Sequence, residues 1–103
     1  PMQGCDLPLT HELFDFAETI FDVLNSHVVD YVKKDEEKGL RLTFSDMPYL
    51  IVWGKPEGDF VAVEPWGGLS TCSDEDDVFE HKRGCLIAKP GETIARGFSI
   101  EIL

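Results

Sequence analysis

The residues best placed to do chemistry lie in one short run, Phe60-Val61-Ala62-Val63-Glu64-Pro65-Trp66-Gly67-Gly68. Side chains alternate between the two faces of a strand. Read that way, the run sends Phe60, Ala62, Glu64 and Trp66 one way and Val61 and Val63 the other. Glu64 then stands among apolar neighbours near the strand's end. Partial desolvation of this kind moves a carboxylate toward the proton affinity that a general base needs. Trp66 offers a flat apolar face with an N–H at its edge, suited to one side of a sugar ring. Gly67 and Gly68 let the backbone come close to a ligand. The same residues also read as a strand-end glutamate meeting solvent or an arginine, beside a core tryptophan and a turn. Spacing leaves both readings open.

Other groupings carry less. Cys72, His81 and Cys85 fit no standard zinc spacing and want a fourth ligand. Asp74-Glu75-Asp76-Asp77 lacks the alternating ligands and the glycine of a calcium loop, and reads as a solvated acidic loop. No metal and no other cofactor is expected. Lys82 and Arg83 could meet a phosphorylated sugar, although two cations on an acidic chain are thin support. His11 follows Thr10 and reads either as a structural hydrogen-bonding group or as a sugar contact.

These residues must be positioned by a small domain. The chain has 103 residues, 43% of them hydrophobic and 28% charged, which suits one ordinary globular unit. Nine Lys and Arg against twenty Asp and Glu leave a net charge of -11. Such a surface repels phosphate backbones and anionic lipid, so nucleic-acid and membrane partners are set aside. No apolar run approaches a membrane span and no signal peptide opens the chain. Three cysteines without a CxxC pair fit reduced thiols and a cytoplasmic setting better than a disulfide scaffold. Pro1 is no initiator residue, which implies processing or a piece of something longer.

The pattern predicts an all-β chain, a β-sandwich or part of one, as a single segment over residues 1–103. A helical turn or two is expected within Leu9–Phe16, capped by Thr10. Strands are expected at Ile20–Leu24, His27–Lys33, Leu40–Phe44, Tyr49–Trp53, Phe60–Trp66, Gly84–Ala88 and within Thr93–Leu103. The second and third should form a hairpin across the charged turn 34–39. Tyr49–Trp53 has no charged position, so it should be covered on both faces, with Trp53 in the core. In the last segment Ile94, Phe98, Ile100 and Ile102 should share a face. Residues 67–80 should form a long loop.

Phe-Val-Ala-Val-Glu-Pro-Trp-Gly-Gly-Leu at Phe60–Leu69 resembles the (F/V)-x-x-(I/V)-E-P-W-x-G-(I/L) stretch of bacterial aldose 1-epimerase family proteins. The likeness continues in Leu7-Pro8-Leu9-Thr10-His11-Glu12-Leu13-Phe14, similar to L-P-L-T-H-x-L-F, and in Tyr49-Leu50-x-x-Trp53. It ends with an acidic loop at 73–80, Lys82-x-Gly84 and Pro90-Gly91-Glu92. The resemblance implies a segment of the galactose mutarotase-like supersandwich and an isomerase that opens an aldose at its anomeric carbon. In that family a glutamate takes the anomeric hydroxyl proton while a histidine protonates the ring oxygen. Glu64 matches the base; Trp66, Gly67 and His11 would contact a monosaccharide.

The chain corresponds to about the C-terminal third of such enzymes. The family's catalytic histidine and sugar-binding arginine lie upstream, and none of His11, His27 or His81 stands in the acid's motif. Asp15 or Glu18 could stand in for an aspartate that the family often carries there. This segment by itself should therefore lack half of the chemistry. It should also expose an apolar face and strand edges, and associate with the missing N-terminal part or with itself. The alternative is a non-catalytic carbohydrate-binding sandwich that keeps Trp66; a purely structural fragment is the third reading.

Overall fold

The computed structural model describes residues 2–103 and contains six strands: β1 (Thr19–Phe21), β2 (Val28–Val32), β3 (Gly39–Thr43), β4 (Tyr49–Trp53), β5 (Ala62–Trp66) and β6 (Ser99–Ile102). Two short 3₁₀ turns, His11–Phe14 and Phe79–His81, supply the helical residues, and the described residues include no α-helix. The strands make two antiparallel three-stranded sheets, β1-β4-β5 and β2-β3-β6. The chain is therefore an all-β sandwich.

The core lies where the sheets face each other. Phe14, Phe44, Leu50 and Val52 form its buried cluster, flanked by Phe21 and Val63 from one sheet and Val29 and Leu42 from the other. β4 is the middle strand of its sheet, and its first four residues are all buried. The unbroken apolar run Tyr49–Val52 thus sits where a strand has no solvent face. Trp53 departs from expectation: it is exposed at the strand's end, packed against Phe60 with ring centroids 5.4 Å apart and the ring planes tilted by 60°.

Register follows the apolar alternation. Ile51 lies opposite Ile20 on one side and Glu64 on the other, while Val52 lies opposite Thr19 and Val63. In the second sheet Asp30 faces Arg41 across β2 and β3, and the pair closes a two-pronged ion pair at 2.7 and 2.9 Å on the outer face. The Arg41 guanidinium holds the Asp30 carboxyl below the ordinary carboxylate range.

Several expected strands are shorter or missing: β1 ends at Phe21 and not Leu24, and β5 begins at Ala62 and not Phe60. At 84–88 the chain turns instead: Gly84 takes φ +77° and Cys85 N–H bonds Lys82 O, leaving Leu86 and Ile87 exposed and unpaired. In the last segment pairing with β3 starts at Ser99, so Ile94 and Phe98 lie outside any strand. Arg96 donates to the Asp46 carbonyl and ties this segment to the β3–β4 turn. The helical segment closes as a single 3₁₀ turn, with the Thr10 hydroxyl accepting from Leu13 N–H.

The sheets overlap only in part. Tyr31, Leu40, Ile100 and Ile102 share the core-side face of β2-β3-β6 yet remain exposed, Ile100 at 60% and Ile102 at 83%. The radius of gyration is 15.8 Å, against about 13 Å for a compact domain of this length. The accessible surface is 7903 Å², against roughly 5,800 Å² for a folded monomer of this mass. No helix among the described residues is long and apolar enough to cross a membrane.

Candidate functional site

β5 is an edge strand, and this is what admits Pro65 in its interior, since proline cannot complete a central ladder. Its two faces have separate work. Val63 packs on the core cluster, as does Val61 just before the strand. Glu64 and Trp66 project from the opposite face.

There Glu64 is half-buried beside Ile51, which is only 2% exposed although it points away from the core between the sheets. The apolar setting expected around the carboxylate is thus supplied largely by its cross-strand neighbour. The Trp66 indole Nε1–H donates to Glu64 Oε2 at 2.9 Å in a part-buried bond. Oε1 takes no hydrogen bond among the described residues. The signal for this contact was present in the sequence as an i, i+2 pair on one strand face. Spacing alone, however, did not reveal that the indole donor was committed to the carboxylate.

Tyr49 lies opposite Trp66 in register and is buried. It is backed by the turn at 82–85: a Cβ on Gly84 would come 2.7 Å from Tyr49 Cε2 and 3.1 Å from its hydroxyl. The long loop after β5 therefore folds back over this face. Tyr49 and Gly84 belong to the site's support, and their role could not be read without the loop's path. Gly67 and Gly68 are half-buried, and neither has a tight contact at the Cβ position. Neither has a positive φ, so neither needs glycine to make its own turn.

The loop is held by its own ion pairs. Lys82 Nζ reaches Glu75 Oε2 at 3.2 Å and Thr71 Oγ1 at 3.3 Å, Arg83 reaches Asp74 at 3.4 Å, and His81 Nδ1 lies 2.7 Å from Asp76 Oδ2. Desolvation pushes the Glu75 carboxyl up, but Lys82 and the polar groups of Cys72 outweigh it and hold it below the ordinary range. Asp76 is held low by His81 and by the Val78 N–H. Lys82 and Arg83 are thus engaged within the loop. No three His, Cys, Asp or Glu side chains gather as a metal-holding group among the described residues.

His11 stands elsewhere. It is exposed, 3.4 Å from Asp59, and lines a groove of about 520 Å³ with Leu9, Phe14, Lys55 and Phe60. Glu64, Trp66 and Gly67 are not among the residues lining that groove. The other histidines are also occupied, His27 against Phe44 with ring centroids 5.6 Å apart and His81 with Asp76.

No family model matches the chain, and no solved structure matches it. Two curated relatives do: "Protein LacX, plasmid" and "Protein LacX, chromosomal", both of Lactococcus lactis subsp. lactis. Each is 36% identical over 98 residues, a stretch that covers 94% of this chain and 33% of the relative. Over nearly its whole length the chain is similar to LacX, and it spans about a third of the LacX chain.

Proposed function

We propose that this chain is the base-bearing segment of an aldose 1-epimerase-type isomerase, with Glu64 as the general base. The observation that carries the reading is a half-buried carboxylate beside an apolar neighbour, held through one oxygen by an indole N–H and without a hydrogen bond at the other among the described residues. Glu64 takes the proton of the anomeric hydroxyl. Its O–H electrons form the aldehyde C=O as the bond from the anomeric carbon to the ring oxygen breaks. The ring oxygen receives a proton from an acid, the aldehyde turns about its C–C bond, and the reverse steps close the other anomer. Trp66 and Gly67 border the sugar; His11, in its separate groove, would contact it only where further polypeptide joins the two surfaces.

The acid belongs to that further polypeptide, because none of His11, His27 and His81 hydrogen-bonds to Glu64 or Trp66 among the described residues, and His11 lines a separate groove. The uncovered faces speak for the same partner. An excess surface of roughly 2,000 Å² is on the scale of a stable interface, and the bare face formed by Tyr31, Leu40, Ile100 and Ile102 is apolar. We expect the isolated chain to bind a hydrophobic dye and to associate in sizing experiments. A monodisperse monomer that ignores the dye overturns this.

The activity test is polarimetric. A hybrid LacX chain carrying residues 2–103 in place of its matching segment should speed anomer exchange of an aldose, and Glu64→Gln should slow it by about 10²–10⁴-fold. A hybrid whose rate is unaffected by Glu64→Gln refutes the base. The isolated chain should be inactive. Sugar binding that survives Glu64→Gln but is lost with Trp66→Ala would instead identify a non-catalytic binding module.

A further inference from the structure

The indole bond to Glu64 does more than fill a space. An indole N–H is a donor only and an ionised carboxylate an acceptor only, so the contact has one polarity. The bond is 2.9 Å long and part-buried; to an ionised carboxylate such a bond is charge-assisted and stronger than a neutral one. It occupies Oε2 and leaves Oε1 without a hydrogen bond among the described residues. Pro65 lies between the two residues and fixes φ there, which limits how far the two side chains can drift apart. On the neighbouring strand the position opposite Trp66 is Tyr49, buried and backed by Gly84.

We infer that Trp66 is a positioning residue, whose indole N–H fixes Oε2 of Glu64 so that Oε1 is the atom that accepts the substrate's proton. This rests on the reading of Glu64 as the base. It differs from a stacking role in the part of the ring it uses: stacking uses the indole face, whereas the bond to Glu64 uses the in-plane N–H. The proton moves from the anomeric oxygen to Oε1 while the indole bond to Oε2 stays in place. Proton return on ring closure uses the same atom.

The test is spectroscopic and uses the chain as it is. The chain has two tryptophans, and Trp53, exposed and packed at a tilt on Phe60 with no hydrogen bond from its indole among the described residues, is the internal reference. In a ¹H–¹⁵N spectrum the Trp66 indole proton should resonate downfield of that of Trp53. It should move upfield on acidification while the Trp53 signal holds. Glu64→Ala should bring the Trp66 signal to the position of the Trp53 signal and remove the pH response. An indole signal insensitive both to acid and to Glu64→Ala overturns the proposal. In the hybrid chain Trp66→Phe should lower kcat by about tenfold with KM unchanged; raised KM with unchanged kcat would make Trp66 a sugar platform and also overturn it. If the hybrid's rate ignores Glu64→Gln while the indole still responds to acid, the base reading fails and the bond stands. An unresponsive indole refutes the role of Trp66 whatever the hybrid does.

Discussion

Gly84→Ala should be among the more damaging single-methyl changes in this chain, for two separable reasons. Gly84 holds φ +77°, a region where a side chain costs about 1–2 kcal/mol. The added Cβ would also sit 2.7 Å from Tyr49 Cε2 and 3.1 Å from the Gly67 carbonyl. Tyr49 is buried in the central strand and cannot swing away cheaply, so overpacking adds roughly 1–3 kcal/mol. Gly91 provides the control: it holds φ +80° but has nothing within 4 Å of a Cβ. Gly91→Ala should therefore show the backbone cost alone. The gap between the two variants, about 1–3 kcal/mol, corresponds to roughly 4–24 °C in Tm for a domain of this size. Thermal and denaturant unfolding of both variants measures it. Because Tyr49 lies opposite Trp66, Gly84→Ala should also shift the Trp66 indole resonance, and Gly91→Ala should not. Equal losses in the two variants, with no change at Trp66, would refute the claim that the 82–85 turn braces this face.

Two further outcomes follow from the geometry. Gly67→Ala should leave stability within about 0.5 kcal/mol, since its Cβ position is open and its φ is not positive. Weakened sugar binding in that otherwise stable variant would mark Gly67 as a point of ligand approach, and unchanged binding would remove it from the site. Acid should loosen the 71–83 loop late. Asp76 and Glu75 are held below their ordinary values, so the stability they contribute is present above those values and is lost only as pH falls through the lowered ones. The Val78 amide, which donates to Asp76 Oδ1 at 3.0 Å, should keep its exchange protection from neutrality down past about pH 4 and lose it below. Protection that fades already near neutrality would contradict the assigned cause.

Where local pattern and burial agree, the sequence carried the fold. Tyr49–Trp53 reads as a covered strand because it holds five apolar or aromatic residues in a row, and it is the middle strand of its sheet. The hairpin across 34–39 is legible from the alternation in Leu40–Phe44 and the glycine ending the charged turn. Leu86 and Ile87 misled, because a short apolar run is strand-like only if an edge is available. Here Gly84 and the Lys82–Cys85 turn carry the chain away from one. At the site, alternation placed Glu64 and Trp66 on one face, but whether the indole points at the carboxylate or at solvent depends on side-chain torsions that no spacing encodes. The contact of Gly84 with Tyr49 spans thirty-five positions and depends on the path of the loop between β5 and β6.

The register of β5 links that site to the core. Strand side chains repeat every two residues, so a slip of one position against β4 would turn Glu64 and Trp66 inward and Val63 outward. A carboxylate and an indole N–H taken from the half-buried outer face into the space between the sheets, beside Leu50 and Val52, would be expensive to desolvate. The cross-strand pairing of Val63 with Val52 and of Glu64 with Ile51 is thus one constraint seen from two faces. The core does not merely support a site built elsewhere. By excluding the slipped register it decides which face of an edge strand presents the carboxylate, and the indole then decides which of its oxygens is free.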